Sequence, residues 1–318
     1  MSIRRSAPAV AAALLLSVAT PSAGGVGFQR ITVPDADGRP REVGIWYPSD
    51  APASAQPLGP YRHTVAVDGP VSGRGLALVV VLHGVQGWFG NHYHTAVALA
   101  DAGFVVAGIT QGDDVRLVER PRHVGRLLDY MLAEWPQRDR LDPGRIGVFG
   151  FSVGGFTALV AIGGTPDLGR IPVYCAEHPD RVCAMLKARN VDTSVPGGAW
   201  VHDARIKAAV VAAPTLAFTF GPETLAPITV PVQLWRAGND EITPHPRAAE
   251  AVYQTLPTRP EYIVVPDASH FAFVACTTEM AQRAPVVCRD AAGFDRQAFH
   301  RTFNLAVVAF LKARLPSP

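Results

Sequence analysis

The stretch RIGVFGFSVGG, residues 145–155, carries the pattern that decides the fold. A strand pattern, Arg-Ile-Gly-Val-Phe at 145–149, leads into Gly-Phe-Ser-Val-Gly, and small residues dominate the segment that follows. The pattern G-x-S-x-G predicts a buried strand, a sharp turn that exposes Ser152, and a helix that begins at Val153. Glycines are needed at such a strained turn because the backbone passes close to its neighbours. Ser152 is therefore the candidate nucleophile.

Strand and helix patterns alternate on both sides of this turn. Strands are predicted at 41–47, 76–82, 104–109, 145–149, 206–212, 230–235 and 262–265, and helices at 94–102, 122–135, 153–162 and 297–315. The run LALVVVL at 76–82 has no polar position, which is typical of a strand buried on both faces. The Pro-, Ala- and Ser-rich segment 48–60 is predicted to be a loop. The order predicts an α/β fold with a mostly parallel central sheet and helices on both faces.

Residues 165–205 interrupt the alternation. They contain one cysteine pair, three glycines, four prolines and no clean strand pattern. We expect an insertion between two core strands of a single domain, 24–318. It forms either a small cap over the site or a surface loop without a functional part.

A nucleophilic serine requires a base and an orienting acid, which follow in the order serine, acid, histidine in folds of this kind. His270 is the candidate base and Asp240 the candidate acid. Each lies in a loop just after a predicted strand, and sites in α/β sheets form at the carboxyl ends of the strands. Glu241 and Asp267 are rival acids because they lie next to these residues in the sequence.

An acyl-transfer site also needs two backbone donors for the oxyanion of its tetrahedral intermediate. One is expected from Val153, the residue after the nucleophile, and the other from Val85 in the loop after strand 76–82. Gly84 permits a tight turn in that loop, and His83 is expected to support it by hydrogen bonding. This chemistry requires no cofactor and no metal ion.

The first 23 residues have the pattern of a secretory signal peptide. Arg4 and Arg5 precede an apolar run at 7–18, and Ala19 and Ala23 are candidate cleavage positions. We expect a secreted or periplasmic protein whose mature chain has no stable membrane span. General secretion is favoured over the twin-arginine route, and an uncleaved membrane anchor is the alternative.

Four cysteines, Cys175, Cys183, Cys276 and Cys288, lie beyond this segment. An even count behind a signal peptide favours disulfides, and pairing each cysteine with its near neighbour closes the shortest loops. Metal binding or free thiols are the alternatives. Neither pair has the spacing of a zinc knuckle.

Composition limits the class of partner. Hydrophobic residues make up 48% of the chain and charged residues 18%, which indicates a large core and argues against disorder. Without residues 1–23, basic and acidic residues are equal in number, and no basic run stands out. We therefore expect a small-molecule substrate and no nucleic acid, while the oligomeric state stays open.

The chain resembles the α/β-hydrolases, in particular their dienelactone-hydrolase-like branch and the secreted group similar to platelet-activating-factor acetylhydrolases. The matching motifs are Gly-Ile-Trp-Tyr-Pro at 44–48, Leu-His-Gly-Val at 82–85, Gly-Phe-Ser-Val-Gly-Gly at 150–155, Gly-Asn-Asp at 238–240 and Ser-His-Phe-Ala-Phe at 269–273. The resemblance implies the triad Ser152, Asp240 and His270 and the oxyanion donors Val85 and Val153. This chain has a serine where dienelactone hydrolases have a cysteine, so their substrate does not carry over.

These features predict a secreted serine hydrolase that cleaves carboxylic esters through an acyl-enzyme on Ser152. A serine peptidase or amidase using the same triad is the first alternative. A non-catalytic binding protein of the same fold is the second, although a complete set of triad residue types argues against it.

Overall fold

The computed structural model describes residues 25–36, 38–112 and 116–317, so the expected signal peptide at 1–23 lies outside the described residues. The strands are β1 (Gly25–Val33), β2 (Arg41–Ser49), β3 (Ser54–Leu58), β4 (Tyr61–Val67), β5 (Leu76–Leu82), β6 (Val105–Ile109), β7 (Leu141–Phe151), β8 (Ile206–Ala212), β9 (Val232–Ala237) and β10 (Glu261–Val265). The helices are α1 (Tyr93–Asp101), α2 (Glu119–Ala133), α3 (Val153–Ala161), α4 (Arg170–Glu177), α5 (Arg181–Ala188), α6 (Pro222–Leu225), α7 (Ala249–Thr255), α8 (Thr278–Arg283) and α9 (Arg296–Arg314).

In the described part of the chain the ten strands form one mixed sheet in the order β10-β9-β8-β7-β5-β6-β2-β1-β4-β3. Six neighbouring strands, from β10 to β6, run parallel. Parallel neighbours need crossover connections. These include α1 between β5 and β6, α3 between β7 and β8, and α7 between β9 and β10. The predicted α/β architecture with a mostly parallel sheet is confirmed.

Strand β5 shows why both faces of the sheet are covered. Leu78, Val80 and Leu82 pack into a core that includes α2 and α3. Val79 and Val81, which point the opposite way, pack into a second core with α1 and α9. Because successive side chains of a strand alternate in direction, an uninterrupted apolar run requires apolar layers on both sides. Each fully buried side chain of this size contributes about 1.5–3 kcal/mol.

The antiparallel end of the sheet departs from the sequence-based prediction. The predicted loop 48–60 is wrong, because β3 lies within it and pairs antiparallel with β4. Neither β1 nor β4 was predicted. Strand β3 is an edge strand with mostly exposed residues and contains Pro57, which an edge position tolerates because no ladder hydrogen bond is lost. Such a strand lacks the apolar alternation by which strands are recognised.

The insertion 165–205 contains α4, α5 and a short 3-10 turn (Gly197–Ala199), and no strand. It is fastened to loops at the carboxyl side of the sheet. The Tyr174 ring stacks on Phe218 with centroids 3.5 Å apart, and the Tyr174 hydroxyl donates to Asp180 at 2.7 Å. Arg247 donates to the same hydroxyl at 3.2 Å. The insertion therefore packs on the loops that follow β8 and β9.

Two disulfides join the cysteines in the predicted local pairs. Cys175–Cys183 links α4 to α5, and Cys276–Cys288 brackets α8. No free cysteine remains among the described residues. Among those residues, no helix is both long enough and apolar enough to cross a membrane.

Removal of the second disulfide by the double substitution Cys276→Ser and Cys288→Ser should lower stability. Without this bridge the unfolded chain gains conformational entropy. For a loop of this length, the free energy of unfolding is expected to fall by about 3 kcal/mol. The Tm should then fall by about 5 °C. Differential scanning calorimetry without reductant measures the change, and dithiothreitol should lower the Tm of the parent protein further than that of the variant. Equal Tm values for variant and parent would contradict the stabilising role.

Candidate active site

Ser152 lies at the junction of β7 and α3 with a backbone φ of +57°, which is rare for a residue other than glycine. The glycines on either side make this turn possible. A Cβ on Gly150 would lie 2.1 Å from the carbonyl oxygen of Gly154, and one on Gly154 would lie 2.2 Å from that of Leu82. No larger residue fits at either position, which is the steric reason for the sequence pattern.

Neighbouring strands hold the strained turn in place. The Ser152 N–H donates to the carbonyl of Ala212, the last residue of β8, at 2.9 Å. The Ser152 carbonyl accepts from the N–H groups of Phe156 at 3.1 Å and Thr215 at 3.2 Å. With both backbone groups engaged, the surrounding structure maintains a conformation that costs on the order of 1–3 kcal/mol.

His270 lies between Ser152 and Asp240. Its Nε2 is 2.9 Å from the Ser152 Oγ, and its Nδ1 is 2.9 Å and 3.0 Å from the two carboxylate oxygens of Asp240. The loops that follow β9 and β10 supply Asp240 and His270. The Ser152 residue is 5% exposed, and the side chains of His270 and Asp240 are 1% and 3% exposed. The three residues proposed from the sequence are therefore adjacent and shielded from water.

The Asp240 carboxylate is stabilised in its charged form. Burial is the largest influence and raises its pKa, but the nearby His270 and the hydrogen bonds from His270 and Thr243 outweigh burial, so the pKa is lowered overall. Oδ1 accepts from the N–H groups of Ile242 at 3.0 Å and Thr243 at 2.7 Å. An ionised, fixed carboxylate can orient the imidazole and stabilise it when it becomes protonated.

The two rival acids are placed differently. Glu241 accepts a hydrogen bond from the backbone N–H of His270 at 3.2 Å, so its contact is with the main chain and not the ring. Asp267 lies exposed in the turn after β10. Of these acids, only Asp240 contacts the His270 ring among the described residues.

Two backbone amides, those of Val85 and Val153, are oriented by the carbonyls of the preceding residues. In a trans peptide the C=O and N–H point in opposite directions. The Gly84 carbonyl is engaged by His83 Nδ1 at 2.6 Å and by the Gly87 N–H at 3.2 Å, which directs the Val85 N–H the other way. The Ser152 carbonyl accepts from the N–H groups of Phe156 and Thr215, and the Val153 N–H therefore points in the opposite direction. Neither amide has an acceptor among the described residues.

A small cavity, about 30 Å³ in volume, lies beside these amides. It is lined by Val85, Leu117, Val153, Val182, Met185, Leu186, Arg189, Val191, Thr215 and Leu216. Helix α5 and the residues after it provide half of this lining. Part of the insertion 165–205 therefore faces the same space as the two candidate oxyanion donors.

Two buried histidines lie behind the turn. The His83 Nε2 accepts from the Gln111 N–H at 3.0 Å, so we assign the ring proton to Nδ1, which donates to the Gly84 carbonyl. The His92 ring packs against the rings of Phe149 and Phe151, with centroids 5.1 Å and 5.3 Å away. Burial lowers the pKa of both histidines to about 3. Among the described residues, no group of three or more His, Cys, Asp or Glu is placed to hold a metal ion.

Comparison with known proteins identifies the fold. No family model and no curated protein matches the chain. Among solved structures, the chain is similar to a ferulic acid esterase from Streptomyces cinnamoneus, with a TM-score of 0.64 and 19% sequence identity over 95% of this chain and 94% of that chain. The predicted α/β-hydrolase fold is confirmed. The finer resemblance to the dienelactone-hydrolase-like branch and the acetylhydrolases stays a prediction.

Acid should destabilise the protein through the buried histidines. The folded-state pKa of His92 is about 3 and its ordinary value is 6.5, so the unfolded chain binds more protons between these values. Stability contributed by the neutral ring is therefore present above pH 6.5 and is lost as the pH falls toward 3, at about 1.4 kcal/mol per pH unit. Urea unfolding at pH 7, 6 and 5 measures this slope.

The substitution His92→Leu removes one titrating ring from the core and should reduce the slope between pH 6 and 5 by about one proton. The comparison uses slopes and not absolute stabilities, because the substitution also changes packing. An unchanged slope in this variant would contradict the conclusion that burial lowers the pKa of His92.

Proposed function

We propose that this chain is an exported serine hydrolase that cleaves carboxylic esters through an acyl-enzyme on Ser152. The observation that carries the proposal is the position of His270, whose two ring nitrogens lie 2.9 Å from the Ser152 Oγ and 2.9 Å from the nearer Asp240 oxygen. The similarity of the fold to that of a ferulic acid esterase supports an ester as the substrate.

In the acylation step, the Ser152 Oγ attacks the ester carbonyl carbon while His270 Nε2 takes the hydroxyl proton. The carbonyl oxygen becomes an oxyanion and accepts hydrogen bonds from the N–H groups of Val85 and Val153. His270 then gives its proton to the alkoxy oxygen as the C–O bond breaks. The alcohol leaves, and the acyl group remains on Ser152.

Deacylation repeats these steps with water as the nucleophile. His270 removes a proton from water as the water oxygen attacks the acyl carbon, and returns it to the Ser152 Oγ as that bond breaks. Asp240 stays ionised throughout. It keeps the histidine in the tautomer with its proton on Nδ1 and stabilises the imidazolium that forms in each step.

The proposal includes export and a cap. The pattern at 1–23 is that of a signal peptide, and the two disulfides support an oxidising compartment, where such bonds persist. Residues 165–205 are proposed to form the cap of an α/β-hydrolase domain at 24–318. Support comes from Val182, Met185 and Leu186 of α5, which line the cavity beside the oxyanion donors.

The substitution Ser152→Ala should remove nearly all turnover, because no other group at this position can accept the acyl chain. We expect a loss of about 10⁴-fold or more in kcat for p-nitrophenyl acetate, with far-ultraviolet circular dichroism unchanged. Ser72→Ala is the matched control and should be fully active. A panel of p-nitrophenyl acetate, methyl ferulate and a p-nitroanilide compares esters with amides. Activity retained by Ser152→Ala would show that Ser152 is not the nucleophile.

The identity of the acid is tested by a pair of adjacent substitutions. Asp240→Asn should lower kcat about 10⁴-fold, because the amide favours the wrong histidine tautomer. Glu241→Gln should change kcat by only a few fold, since Glu241 contacts the His270 backbone and not its ring. Steady-state kinetics on p-nitrophenyl acetate measure both. A larger loss in Glu241→Gln would assign the acid to that residue.

A further inference from the structure

Arg120 is a cationic side chain in the core, with a relative exposure of 1%. It lies in the first turn of α2, away from the proposed triad in sequence. Burial of a guanidinium is costly unless its N–H groups are hydrogen-bonded. The hydrogen-bond partners of Arg120 therefore indicate its role.

The guanidinium is linked to both segments that carry the candidate oxyanion donors, directly to the backbone of one and through the Thr157 hydroxyl to the backbone of the other. Its Nη2 donates to the carbonyl of His83 at 2.7 Å, in the loop that leads to Val85. Its Nε donates to the Thr157 Oγ1 at 3.1 Å. That hydroxyl donates in turn to the carbonyl of Val153 at 2.8 Å, in the first turn of α3.

The main chain of Arg120 is also linked to the loop after β5, through Gln111 and the His83 ring. The Arg120 carbonyl accepts from Gln111 Nε2 at 3.0 Å, and the Gln111 N–H donates to His83 Nε2 at 3.0 Å. His83 then engages the Gly84 carbonyl through Nδ1. The loop after β5 is therefore held both at the His83 carbonyl and through the His83 ring.

We propose that Arg120 is a positioning residue that sets the spacing between the N–H groups of Val85 and Val153 in the oxyanion hole. The inference rests on the proposed function of Ser152. One planar guanidinium offers donors in fixed directions and can hold two segments at once. A lysine ammonium can reach one of them but does not impose the same geometry on both.

The expected kinetic effect is specific to the transition state. Oxyanion donors act at 2.7–3.1 Å from the position of the developing charge, and a displacement of about 1 Å can cost about 100-fold in rate. The ground-state ester makes little use of these donors, so kcat should fall while KM stays nearly constant.

The test compares Arg120→Met, Arg120→Lys and Thr157→Val with the parent protein. Arg145→Met is the matched control, because Arg145 also donates to two backbone carbonyls, those of Gly75 and Pro316, but at the amino end of β7. Active sites are counted by labelling with a fluorophosphonate, and kcat for p-nitrophenyl acetate is expressed per labelled site. A trifluoromethyl ketone, which forms a tetrahedral oxyanion adduct with serine, reports binding to the same donors through its Ki.

We expect Arg120→Met to lower kcat per site about 10- to 100-fold, with KM within about twofold, and to raise the Ki of the ketone by a similar factor. Thr157→Val should show a smaller effect in the same direction, Arg120→Lys should restore part of the loss, and Arg145→Met should match the parent. A merely structural role would reduce the number of labelled sites but leave the kcat per labelled site and the Ki of the ketone unchanged.

A kcat per site within twofold of the parent, an effect confined to KM, or an unchanged Ki in Arg120→Met would overturn the inference. If Arg120→Met does not fold, parent-like values in both Thr157→Val and Arg120→Lys overturn it instead. Fluorophosphonate labelling of Ser152 in the parent tests the proposed function separately. If no ester is turned over, the rate of labelling takes the place of kcat, because the phosphoryl oxygen uses the same donors.

Discussion

The tight approach of backbone to backbone at the Ser152 turn is the constraint on which the rest of the structure depends. The turn requires β7 to end beside β5 on one side and β8 on the other, because Leu82 borders Gly154 and Ala212 accepts from the Ser152 N–H. These contacts exist only when the three strands are parallel, adjacent and in register. The sheet core and the serine are consequently parts of one arrangement.

The same turn orients the polar groups around it. Hydrogen bonds fix the Ser152 carbonyl, and the N–H of Val153 in the same peptide therefore points the opposite way. In the loop after β5, the engaged Gly84 carbonyl orients the Val85 N–H by the same geometry. Hydrogen bonds to the two preceding carbonyls fix the direction of both N–H groups, so the proposed oxyanion hole would need no reorganisation as charge develops. Burial of the surrounding groups lowers the local dielectric and strengthens each of these interactions.

The parallel half of the sheet was predictable because its strands are short apolar runs; 76–82 and 206–212 match β5 and β8 to the residue. The proximity of Ser152, Asp240 and His270 was predictable because the carboxyl ends of parallel strands converge. The edge strand β3 was not, since an exposed strand leaves no apolar pattern. Arg120 was missed for a different reason: its partners include the main-chain carbonyl of His83, and a main-chain partner carries no signal in the sequence.

The distribution of charge beneath the site follows from which groups can stay ionised when buried. Burial first, and the positive charge of Arg120 second, lower the pKa of His83 to about 3. A neutral imidazole can accept from the Gln111 N–H on one nitrogen and donate to Gly84 from the other, whereas an imidazolium could only donate. Arginine retains its charge at every physiological pH. Arg120 therefore helps to keep the His83 ring in the neutral form that holds the loop.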